Sequence, residues 1–184
     1  MTLLPSTTRR LRFTLVLVVA SLFTATSNGA ASAGAATIAR CTTHDHLSAK
    51  YVSPNGASGW FYFLIAFTNS GATSCTLSGV PRAQPVQGSG ETPVGPAAAY
   101  QPTDGVTRKT VVLHAHGGKV YVEYYVNNEG NFSISRCGPA AADGVELRPS
   151  GLGDFYVPIS RLGATEVCRR LASTRVGALS STTY

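Results

Sequence analysis

The chain is 184 residues long and carries 15 Lys and Arg against 9 Asp and Glu, a formal charge of +6 at neutral pH. Arg9, Arg10 and Arg12 belong to an N-terminal segment that reads as removable, so twelve basic and nine acidic residues remain, net +3, with no basic run longer than Arg169-Arg170. That balance argues against nucleic acid as a partner, and the ~148 residues left suffice for one domain with a proper core but not for two.

The N-terminal segment has three parts. After the arginines comes an apolar stretch from Phe13 to Phe23, then the small residues SNGAASAGAA. This is the layout of a signal peptide. Its apolar core falls short of the ~20 residues a helix needs to cross a bilayer, so no membrane span is expected after cleavage. Ala31 and Ala33, with Ala35 and Ala36 as alternatives, suit the processing enzyme and place the mature start near residues 34 to 37. The expected organisation is a signal peptide over 1–36 and a single domain over 37–184. The Arg9-Arg10 pair raises the twin-arginine route, but Arg12 stands where that signal carries an apolar residue, which favours general secretion. Cys41 follows the bulky Arg40 rather than small residues, which argues for release rather than lipidation.

All four cysteines, Cys41, Cys75, Cys137 and Cys168, lie beyond the signal. An even count in an exported domain implies two disulfides formed in an oxidising compartment. Three connectivities exist in principle, and sequence order alone does not choose among them. Pairing Cys41 with Cys75 and Cys137 with Cys168 is preferred, because each closes a loop of about thirty-odd residues and stabilises by roughly 3 to 4 kcal/mol in the chain-entropy model.

Short aromatic or β-branched runs, separated by Gly, Pro and Asn clusters, dominate the rest of the chain. They predict strands over Leu47–Ser53, Gly59–Asn69, Cys75–Val80, Val106–His114, Lys119–Asn127, Phe132–Cys137, Gly144–Arg148, Phe155–Ile159 and Arg175–Leu179. The domain therefore reads as all-β, and seven to nine short strands suggest an antiparallel sandwich. Pro81 to Pro102, with Pro85, Pro93 and Pro96 among glycines and alanines, reads as a long surface connection. TVVLH and KVYVEYYV, joined through Ala115-His116-Gly117-Gly118, read as an adjacent antiparallel hairpin. The one candidate helix is Ile159–Arg170, with a turn around Gly163–Val167.

Alternation along WFYFLIAF puts Phe61, Phe63, Ile65 and Phe67 on one face and Trp60, Tyr62, Leu64 and Ala66 on the other. It likewise separates Val120, Val122, Tyr124 and Val126 from Tyr121, Glu123 and Tyr125. Trp60, Tyr62, Tyr121 and Tyr125 are thus the candidate binding surface, a flat set of rings for sugars or a partner protein, unless the other sheet or the Pro81–Pro102 connection covers them.

Two His-x-His pairs, His44 with His46 and His114 with His116, suit zinc or copper by side-chain chemistry. Their setting favours plain loop polarity: His44 and His46 precede the first confident strand, and His116 sits in a turn. No metal and no cofactor is therefore expected, and blue copper lacks its methionine, since Met1 leaves with the signal. No catalytic residues are assigned. There is no Gly-x-Ser-x-Gly elbow, Gly88-Ser89-Gly90 sits among prolines, and Asp104, Glu123, Glu129 and Asp154 have no spacing that pairs them. Asn131-Phe132-Ser133 is a glycosylation sequon by pattern, which means little if the source is a bacterium.

WFYFLIAFTNSGATSCTLSGVP, VVLHAHGGKVYVEYYV, the VELRP strand and the final Val167-Cys168 together resemble an actinobacterial secreted family catalogued as domain of unknown function 4232. In that family an aromatic strand ends in Thr-Asn and a cysteine opens a Cys-x-Leu-x-Gly-x-Pro segment, which Thr68, Asn69, Cys75, Leu77, Gly79 and Pro81 match. A departure lies at Leu113 to Gly117, where histidines replace a proline-bearing turn. The resemblance spans Cys41 to Cys168. It implies an immunoglobulin-like sandwich of the bacterial cell surface and supplies no activity. The resulting expectation is a secreted or cell-wall-associated, non-enzymatic module for an unknown cell-surface ligand or protein. The alternatives are a metal-binding protein using the His-x-His pairs and a purely structural envelope component.

Overall fold

The alternating runs form strands in the computed structural model, which describes residues 37–182 except 58, 89–90, 103–107, 128 and 160–164. The expected signal peptide over 1–36 lies outside the described residues, and Thr37–Tyr184 groups as one unit by its contacts. The first strands are β1 (Leu47–Ala57), β2 (Trp60–Asn69), β3 (Cys75–Ser78), β4 (Arg82–Gln87), β5 (Thr92–Pro93) and β6 (Ala99–Tyr100). Next come β7 (Thr110–Leu113) and β8 (Gly118–Asn127), a 3-10 turn at Glu129–Asn131 and the single-turn helix α1 (Ile134–Cys137). β9 (Pro139–Ala142), β10 (Gly144–Arg148), β11 (Phe155–Pro158), β12 (Thr165–Cys168) and β13 (Thr174–Val176) complete the order.

These strands make a mostly β fold of several sheets. One has five strands in the order β1-β2-β8-β13-β6, and a second has four in the order β11-β10-β4-β5. Two small sheets pair β12 with β9 and β3 with β7. Every pairing is antiparallel except β13 with β6. The longest unbroken register joins β2 to β8, from Trp60 opposite Asn127 to Asn69 opposite Gly118. Because side chains alternate along a strand, this register sends Phe63, Ile65 and Phe67 to the same side as Val120, Val122, Tyr124 and Val126. All seven are buried, and they join Ala83, Val145, Leu147 and Val157 of the four-stranded sheet in one core cluster. Phe67 meets Phe155 of β11 edge-on at 5.4 Å between ring centres. Each such side chain contributes roughly 1.5–3 kcal/mol by leaving water.

The disulfides join Cys41 to Cys75 and Cys137 to Cys168, with Cα separations of 4.8 and 4.5 Å, which is the preferred connectivity. The first fastens the N-terminal arm beside β3, where the Cys41 amide donates to the Thr76 carbonyl and the Thr76 amide to Ala39. The second ties α1 to the end of β12. Gly138 takes a left-handed conformation (φ 59°) to end α1 and lead the chain into β9.

Four sequence expectations need correction. Pro81–Pro102 is not a mere surface connection, since β4 lies between β10 and β5 and buries Ala83 and Val86. Pro85 is tolerated there because its carbonyl accepts from the Val94 amide, on the side away from β10. Its missing N–H would face the same way, so the β10 ladder loses nothing. The expected hairpin does not form either. β7 pairs with β3 and β8 with β2, while the turn between them gives the His116 amide to the Gly71 carbonyl and the Gly117 amide to Asn69. At Gly118 a Cβ would lie 2.3 Å from the His114 carbonyl oxygen, so only glycine lets the chain cross between sheets this tightly. Phe132–Cys137 is the helical turn rather than a strand, and the C-terminal part of the expected helix Ile159–Arg170 is β12. Residues 160–164 of that candidate lie outside the described residues.

Asn69 is the polar residue that the core cannot do without. It is fully buried, donates to the carbonyls of Thr73 and Leu113 at 2.8 and 3.4 Å, and accepts from the Gly71 amide at 2.9 Å. One side chain thus stitches the end of β2 to the loop before β3 and to the end of β7. Asn69→Ala strands these backbone groups and should destabilise the domain by about 2 kcal/mol, read by urea unfolding. A change under about 0.5 kcal/mol would mean that water replaces the amide.

Candidate functional site

The β2–β8 register that builds the core also builds the opposite face. Trp60 and Tyr62 stand across from Asn127 and Tyr125, and Leu64 and Ala66 from Glu123 and Tyr121. Trp60, Tyr62, Tyr121 and Tyr125 are all half-buried, and the structure brings them onto one surface. The Tyr62 and Tyr125 ring centres are 5.9 Å apart. The four-stranded sheet packs against the opposite side and takes β4 and β5 of the Pro81–Pro102 connection, whereas its later part, β6 and Gln101, runs along the edge of the five-stranded sheet beside β13.

Polar groups punctuate this surface. Glu123, only 7% exposed, accepts a hydrogen bond from the Tyr125 hydroxyl. Arg175, opposite Tyr125 on β13, lays its guanidinium over the Trp60 ring at 4.9 Å and donates to the Gln101 amide oxygen at 2.7 Å. Aromatic faces beside amide, carboxylate and guanidinium groups can stack against a flat ligand and hydrogen-bond its rim. Arg175 and Gln101 escaped the sequence reading because cross-strand neighbours are known only once strand pairing is known.

The histidines are placed differently. All four are exposed. The His46 carbonyl accepts from the Ser70 amide and the His116 amide donates to Gly71, so one residue from each pair flanks the same loop. Among the described residues, however, no group of three or more His, Cys, Asp or Glu is arranged to hold a metal ion.

A second polar cluster lies on the outer face of the four-stranded sheet, around a cleft of about 120 Å³ lined by Arg82, Gln84, Pro93, Glu146, Arg148 and Asp154. Of the four carboxylates weighed from sequence, only Asp154 is here. The side chains of Asp104 and Glu129 lie outside the described residues, and Glu123 is on the other sheet. Arg148 forks onto Asp154 and holds its carboxyl below the ordinary range, chiefly through that hydrogen bond. Glu146 is pushed the other way, first by desolvation, then by Glu91 and the charge of Asp154, with Arg148 opposing. The alternation of Val145, Glu146 and Leu147 marks Glu146 as outward-facing, but Glu91 was hidden in the segment read as loop.

A carboxyl whose folded-state pKa is raised favours folding while protonated and loses that contribution as pH climbs through the carboxylate range. Ionised Glu146 therefore costs stability at neutral pH. Glu146→Gln should raise the melting temperature near neutrality and leave it unchanged well below the carboxylate range. An equal shift at both pH values would show that ionisation is not the cause.

No curated protein and no solved structure matches the chain. The family described as Domain of unknown function (DUF4232) matches residues 41–180, from the first disulfide cysteine to Ser180, which pairs with Tyr121 at the edge of the aromatic surface. With both disulfides and the whole of the β2–β8 ladder inside that match, the chain belongs to the DUF4232 family.

Proposed function

We propose that the chain is an exported, non-catalytic binding module of the cell surface, and that its ligand rests on the outer face of the five-stranded sheet. The row of half-exposed rings on the side away from the core carries this reading. Stability does not require four large aromatics there, since outward positions of a one-sided sheet can be filled by polar residues.

Two features support export. The first 36 residues have the charged, apolar and small-residue parts of a cleavable signal. Four cysteines closed into two bridges suit an oxidising compartment. No helix among the described residues is long and apolar enough to cross a membrane.

The architecture is best read as an immunoglobulin-like sandwich, because the inner faces of the five- and four-stranded sheets share one hydrophobic cluster. Its bridges differ from the strand-to-strand bridge of antibody domains. Here one clamps the N-terminal arm to β3 and the other clamps α1 to β12, both away from the β2–β8 ladder.

Trp60 is the only tryptophan, so its fluorescence reports this face alone. Titrating the exported domain with cell-wall glycan fragments should shift that emission. Trp60→Ala should weaken binding by about tenfold, or about 1.4 kcal/mol, without lowering the melting temperature by more than a few degrees. Unchanged emission at millimolar ligand, or full affinity in the alanine variant, would contradict the assignment.

A further inference from the structure

The charges around the rings narrow the ligand class. Alternation along β8 puts Lys119 on the same side as Tyr121, Glu123 and Tyr125, and Lys50 of β1, opposite Ala66, shares that side. Arg175 joins them from β13. The acidic residue on this face among those described is Glu123, which is buried and already bonded to the Tyr125 hydroxyl. None of the three cations is in an ion pair among the described residues, where the single pair is Arg148 with Asp154 on the other sheet. The face therefore presents net positive charge across an aromatic surface.

The charges are also spaced. Lys119 and Arg175 sit six residues apart along the β8 register, about 20 Å, with Tyr121 between them and Tyr62, Tyr125 and Trp60 at the Arg175 end. Such spacing suits an extended chain with repeating charges rather than one small anion. Arg175 is held in place by Trp60 beneath it and Gln101 beside it, so little freedom is lost when it meets a carboxylate.

We propose, building on the binding role argued above, that the occupant is an anionic polysaccharide, whose rings rest on Tyr62, Tyr121 and Tyr125 beside the Arg175-covered Trp60 while its carboxylates meet Lys50, Lys119 and Arg175. An acidic protein fits less well. A protein interface wants a strongly apolar centre; of the exposed large apolar side chains, Phe61 and Tyr156 lie elsewhere and Val52, at the irregularity of the edge strand β1, is a single residue. Phe61 alternates to the core side of β2, and Tyr156 belongs to the four-stranded sheet.

The test compares polygalacturonate, a neutral cello-oligosaccharide and polyglutamate as ligands for the exported domain, followed by Trp60 emission and calorimetry. Polygalacturonate should bind most tightly, and its affinity should fall as salt rises. The double variant Lys50→Ala/Lys119→Ala, which alters only exposed side chains, should weaken it about tenfold while keeping the wild-type melting temperature. Equal affinity for the neutral oligosaccharide, or an unaffected double variant, would overturn the charge assignment and leave the binding face standing. Equal affinity for polyglutamate would replace the polysaccharide with an acidic polypeptide. Failure of all three polymers to bind would sink both this inference and the binding role beneath it.

Discussion

The pairing of β2 with β8 is the constraint on which the other features hang. Ten consecutive residues of each strand face one another without a break. Because the side-chain period is two, a slip of one residue would send Phe63, Ile65 and Phe67 into water and drive Trp60, Tyr62 and Leu64 into the core. The cost of exposing those buried rings and branched chains, several kcal/mol, locks the register. The outer surface is then determined without further instruction: every residue forced outward by the core pattern lands on one face. β1 follows the same rule with one irregularity between Tyr51 and Ser53, which swings Val52 out of sequence and keeps Tyr51 packed against the core.

Around that ladder, short elements are held by local devices rather than by their own length. β3, β7, β9 and β12 have four residues each, too few to persist alone. A disulfide anchors one member of each small sheet, Cys75 in β3 and Cys168 in β12. Asn69 adds the polar stitch between β2 and β7, and the Cys168 amide donates to the Ser173 hydroxyl before the chain enters β13. The cross-links lower the entropy of the unfolded chain and offset the ordering of loops that bury little apolar area.

Much of this was legible in the chain. The alternation in WFYFLIAF and KVYVEYYV identifies the central strands and sorts their faces, because a half-buried strand has no other way to place its apolar residues. The cysteine pairing preferred on loop length is the one present, although the sequence leaves three connectivities open. The failures share a cause, which is that local signals do not specify partners. Glycines after TVVLH permit a hairpin but equally permit an arch between sheets, and the His116 and Gly117 amides are spent on the β2–β3 loop instead. Prolines argue against a strand only where the missing N–H is needed, and at Pro85 it is not. Phe132, Ile134 and Cys137 are apolar enough for strand or helix, and the single turn of α1 has no period to betray it. The four rings of the candidate face were found from sequence, whereas Arg175, Gln101 and Lys50 join them only through strand order.

The central claim is that the outer face of the five-stranded sheet, and not the cleft around Glu146 and Asp154, meets the ligand. Side-chain resonances of the isotope-labelled domain, followed by NMR during titration with an acidic polysaccharide, test it most directly. Perturbation of the Trp60 indole and of the Tyr62, Tyr121 and Tyr125 rings, with the core ring of Tyr124 silent, is the result this account predicts. Shifts centred on Tyr156 and the Arg148–Asp154 pair would contradict it.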